Sequence, residues 1–89
     1  MMDINEVKQV IDIDTKTGHT MARLVCSTYQ PDQYLIGIGN LRSFDKENLA
    51  VAMSVIGYRH EPHWSDKIFF DLFKYAQARL DNKTMPQEI

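Results

Sequence analysis

His19-Thr20-Met21-Ala22-Arg23-Leu24-Val25-Cys26-Ser27-Thr28 is the stretch that decides the fold of this 89-residue chain, because it satisfies two periodicities at once. Read with period two, Ala22, Leu24 and Cys26 line one face of a strand, and Met21 and Val25 line the other. Read at helical spacing, Met21, Leu24, Val25 and Thr28 share a face, and Thr20 could cap the start. The shortness of the run, its β-branched residues and the glycine just before it favour the strand. Thr15-Lys16-Thr17-Gly18 then becomes a hairpin loop whose glycine supplies the positive φ of a bulge.

Upstream, Val7–Asp14 also alternates. Val7, Ile11 and Ile13 fall on one face and Lys8, Asp12 and Asp14 on the other, with Val10 out of step. Downstream, Gln30-Pro31-Asp32 reads as a turn. Tyr34–Ile38, apolar on both faces apart from Gly37, reads as a third and most deeply buried strand.

The second half carries helical stripes. Ser43 is a candidate N-cap, with Asp45 and Glu47 placing negative charge in the first turn. Leu49, Ala52, Met53 and Ile56 form one apolar face, and Gly57 fits a left-handed C-terminal cap. Tyr58–Trp64, with Pro62, is a connection. Ser65 caps a last helix whose apolar face is Ile68, Phe69, Leu72, Phe73, Ala76 and Leu80, with Phe70 off the stripe. The predicted fold is α+β: a small three-stranded antiparallel sheet in the N-terminal half packed by two C-terminal helices. It is a single domain over residues 1–89, ordered over about 4–81, with 82–89 a polar, flexible tail containing Pro86.

Composition narrows the function classes. Hydrophobic residues at 44% and charged residues at 25% exclude a collagen-like or fully disordered chain. Ten Lys+Arg against twelve Asp+Glu give a net charge of −2, so no bulk attraction to nucleic acid is expected. A lone Cys26 excludes an internal disulfide and a multi-thiolate zinc site, and it suits a reducing compartment. No apolar run reaches the ~18 residues of a membrane span, and the N-terminus lacks a basic, apolar leader. A cytoplasmic protein without membrane contact is expected.

Sites of chemistry are sparse. Gly37-Ile38-Gly39-Asn40 has Arg42 where a dinucleotide fingerprint needs its third glycine, and no P-loop lysine follows. Those glycines read as strand-end and turn residues, with phosphate binding aided by Arg42 and Lys46 as the lesser reading. His60-Glu61-Pro62-His63, with His19 and Cys26 at a distance, is a poor zinc set because the proline removes helical support. Cys26 reads as a small core hydrophobe rather than a nucleophile. No catalytic residue, metal or cofactor is therefore expected. Basic residues do not concentrate: Lys67, Lys74 and Arg79 are interrupted by Asp66, Asp71 and Asp81.

The aromatic residues are more suggestive, and Trp64, Phe70 and Tyr75 are the candidate protein-interface residues. The sequence points to a non-enzymatic protein-binding or regulatory module, an adaptor or inhibitor of the kind phages and other mobile elements encode. It is expected to act as a homodimer through its last helix and a sheet edge. The alternative is a nucleic-acid-binding dimer that pools Arg42, Lys46 and Arg59.

Overall fold

A computed structural model describes residues 3–61 and 65–82, and no strand occurs among them. The helices are α1 (Ile4–Ile11), α2 (Lys16–Tyr29), α3 (Lys46–Ile56) and α4 (Asp66–Asn82). Short 3-10 segments, Ile38–Ser43 and Tyr58–His60, precede and follow α3. The expected three-stranded sheet, and with it the α+β class and the sheet edge, is replaced by an all-helical fold.

Each predicted strand fails for its own reason. In the first, Asp3 caps α1, its Oδ1 accepting the Asn5 N–H at 2.9 Å. Val7, Val10 and Ile11 then fall at i, i+3 and i+4, and all three are buried. Val10, out of step in a strand, completes the helical face.

The deciding stretch lies inside α2, the central helix, which packs against α1, α3 and α4. Met21, Ala22, Leu24, Val25 and Cys26 are all buried. Both faces of the supposed strand are thus inside, because neighbours surround this helix. Packing on that scale outweighs the few tenths of a kcal/mol by which β-branched residues disfavour a helix, about 0.7 at most.

Tyr34–Ile38 is the third correction. Gln33 and Tyr34 donate their N–H groups to Gln30 O at 3.1 Å, closing the expected turn. The chain then runs over the surface, with Leu35 and Ile38 at 71% and 84% exposure. Arg23 Nε holds this segment by donating to Leu35 O at 2.6 Å. Only Tyr34 and Ile36 turn toward the core.

No glycine among the described residues has a positive φ, so Gly18 is not the hairpin glycine expected. It is buried in the first turn of α2, packed against the backbone that joins α1 to α2. A Cβ there would lie 2.7 Å from Ile11 O and overlap Ile13 O outright. The same two carbonyls are held by Arg79 of α4, itself buried. Its Nε donates to Ile11 O at 3.1 Å, and its Nη2 to Ile13 O at 3.2 Å and Thr15 O at 3.5 Å. The bonds to Ile11 O and Ile13 O satisfy carbonyls at and just past the end of α1, while Thr15 O also accepts the His19 N–H at 3.2 Å.

The start of α3 shifts, while its stop stays at Gly57 with a different conformation. Asp45, not Ser43, is the cap, accepting the Asn48 N–H at 2.8 Å. Ala52 and Val55 are buried and Val51 half-buried, whereas Leu49, Met53 and Ile56 face outward. Gly57 ends α3 at φ −92°, an ordinary conformation rather than a left-handed cap. In α4, Ser65 Oγ accepts the Ile68 N–H at 3.4 Å. Phe69, Leu72, Phe73 and Ala76 are buried, Leu80 is half-buried and Ile68 is exposed. Trp64 and the 83–89 part of the expected tail lie outside the described residues, as does the side chain of Asn82.

Candidate binding surfaces

The two interface candidates on α4 that the structure describes already have partners within the chain. Phe70 is 41% exposed, but its ring lies 5.8 Å from Tyr29 and 6.2 Å from Phe73. Tyr29, at the end of α2, also stacks on Phe73 at 4.7 Å and approaches Phe69 at 6.0 Å. Tyr58 meets Phe69 at 5.2 Å, and Tyr34 meets Phe73 edge-on at 6.1 Å. The aromatic load of α4 is therefore largely absorbed by tyrosines from elsewhere in the chain. Tyr75 donates its hydroxyl to Asp12 Oδ1 at 2.6 Å and carries Lys8 Nζ 5.0 Å above its ring. The bond to Asp12 raises the Tyr75 pKa above its ordinary value.

A different apolar surface stands open on α3. Leu49, Met53 and Ile56 recur at i, i+4 and i+7 and are 37%, 56% and 46% exposed. Ala50 beside them is exposed as well. The opposite side of the helix carries Ala52 and Val55 into the core. α3 is thus apolar all round but buried on one side only, packing on α1 and α2. The signal was present in the sequence: LAVAM and VI occupy seven of the eleven positions of α3. Such uniform apolarity hides which face turns inward.

The third surface is polar. Lys16, Gly39, Asn40, Arg42 and Ser43 line an open pocket of about 360 Å3 between the start of α2 and the 3-10 segment Ile38–Ser43. Thr17 Oγ1 donates to Ser43 O at 3.2 Å and ties these two pieces together. Asn40 Oδ1 accepts the Gly37 N–H at 2.9 Å, which fixes the turn. Of the basic residues expected to act together, Arg42 lines this pocket. Lys46 is exposed at the start of α3, and the Arg59 side chain lies outside the described residues. Lys16 is the cation that sequence reasoning missed, since nothing local announces its meeting with Arg42.

Cys26 is fully buried, and burial together with the nearby negative charge of Asp81 pushes its thiol pKa up to about 12. The folded chain therefore holds this proton where the unfolded chain, near pKa 9, releases it. The part of the stability that depends on Cys26 is expected to be full below about pH 9 and to fall by about 1.4 kcal/mol per pH unit from there toward pH 12. Denaturant melts of the parent and Cys26→Ala at several alkaline pH values should differ in slope by this amount. Equal slopes would refute it.

Among the described residues, no three His, Cys, Asp or Glu side chains converge where they could hold a metal ion. His60 is described, but His63 is not. No helix among the described residues is long and apolar enough to cross a membrane. The chain matches no protein-family model, no curated protein and no solved structure.

Proposed function

We propose that this is a non-enzymatic, cytoplasmic protein-binding module that acts as a homodimer, with the outer face of α3 as the contact. The carrying observation is the exposed Leu49–Met53–Ile56 stripe on a helix whose other side is already in the core. Spacings of four and then three residues describe the narrow seam by which one helix pairs with another. The exposed Ala50 beside the seam allows close approach. A two-fold axis through α3 sets the same stripe against itself, so one surface serves both chains and the apolar area covered is doubled. Phe70 and Tyr75, expected at the contact, are engaged with Tyr29 and Asp12 and so become peripheral to it.

Light scattering or sedimentation at tens of micromolar tests this reading. The parent should run as a dimer, and Met53→Lys as a folded monomer with an unchanged helical spectrum, because Met53 is the most exposed of the three. Phe70→Ala should remain dimeric. A monomeric parent, or a dimer that survives Met53→Lys, overturns the proposal.

A further inference from the structure

We infer that the pocket lined by Lys16 and Arg42 is a binding site for a small phosphomonoester. Among the described residues five line it, two of them cationic and none acidic, in a chain where acidic residues outnumber basic ones. Neither cation makes an ion pair among the described residues. The acidic residues nearest in sequence, Asp14 beside Lys16 and Asp45 beside Arg42, do not line the pocket, and Asp45 spends its Oδ1 on the Asn48 N–H. The site thus concentrates positive charge that the fold itself does not neutralise.

The donors suit a phosphate. The Arg42 guanidinium presents a planar fork that can bind two phosphate oxygens, and Lys16 supplies a mobile point charge. With Asn40 Oδ1 occupied by the Gly37 N–H, the Asn40 amide nitrogen remains as a neutral donor. Ser43 Oγ donates to Asn40 O at 3.1 Å and so braces the turn. Gly39 needs no left-handed backbone. A Cβ at that position would come 3.7 Å from Arg42 Nη2, so a larger side chain would crowd the guanidinium and fill the pocket.

Charge and volume narrow the ligand. Two cations balance a phosphomonoester dianion, whereas each phosphodiester of a nucleic-acid backbone carries one charge. A volume of about 360 Å3 lies at the lower end of small-molecule sites, roughly 300–1,000 Å3. That leaves room for an organic group on the phosphate. The Thr17–Ser43 bond holds Lys16 and Arg42 on one pocket although they come from separate segments.

Titrations followed by calorimetry or amide chemical shifts, with inorganic phosphate, adenosine 5′-monophosphate, adenosine and a short single-stranded DNA as separate probes, test the site. Phosphate and the monophosphate should bind saturably at low millimolar or lower concentration, with the shifts centred on Lys16 and Gly39–Ser43; adenosine should not bind. Arg42→Gln and Lys16→Gln should each weaken binding tenfold or more, while Lys67→Gln, whose cation pairs with Asp71 elsewhere on α4, should leave it unchanged. No saturable response to either phosphate probe, or affinity retained in the Lys16→Gln, Arg42→Gln double variant, overturns the inference. Binding of the oligonucleotide without the monophosphate overturns it too, in favour of a phosphodiester ligand.

Discussion

Gly18→Ala will destabilise the protein by about 3 kcal/mol or more, a cost at the upper end for overpacking because the obstacle is backbone. At an ordinary helical position the same change stabilises, by about 0.5–1 kcal/mol, because alanine gives up less freedom on folding. The sign reverses here. The new methyl has no space beside Ile11 O and overlaps Ile13 O, and these are carbonyls rather than the ends of flexible side chains. Relief requires the turn between α1 and α2 to move off α2, and with it the buried Val7, Val10 and Ile11 of α1. For a domain of this size the melting temperature should fall by more than about 10 °C. Thermal and urea melts measure it directly, and an alanine variant as stable as the parent would show that the close approach is absent.

Arg79→Met should cost about 2–4 kcal/mol, since it strips charge-assisted bonds from the carbonyls of Ile11, Ile13 and Thr15. Arg79→Lys should recover less than half of that loss. An ammonium on a flexible stem cannot span three carbonyls as the guanidinium fork does. Gly18 and Arg79 both meet the carbonyls of Ile11 and Ile13. Their effects should therefore be less than additive, with a coupling of roughly 1 kcal/mol or more in a double-mutant cycle. Methionine at 79 with parental stability, or strictly additive losses, would refute this account of the turn.

How far the fold was legible depended on how many turns each segment offers. α4 is long, and Phe69, Leu72, Phe73 and Ala76 fit no period other than the helical one; all are buried. α1 has eight residues, too few for the two periods to separate except at Val10, which carried the right signal as an exception to the alternation. The reading of Tyr34–Ile38 took apolarity for burial, whereas Leu35 and Ile38 are among the most exposed apolar residues described.

The candidate sites divide in the same way. Arg42 stands out locally, but its meeting with Lys16 depends on a hydrogen bond between residues 26 positions apart. On α3 the cap moves from Ser43 to Asp45, and a helix apolar on every side gives no local reason to prefer Val55 over Ile56 for the interior.

The buried guanidinium also sets an order of events during synthesis. α1 and α2 emerge from the ribosome before α4, but the bonds that hold the turn between them come from one residue, Arg79, which lies 64 to 68 positions after the carbonyls it bonds. Until that arginine is translated and α4 docks, the nascent α1–α2 pair carries bare carbonyls at its corner and an uncovered apolar face on α2. The closure must span most of the chain, so the N-terminal pair should stay loose and protease-sensitive on stalled chains that stop short of residue 79, and become resistant once α4 is released.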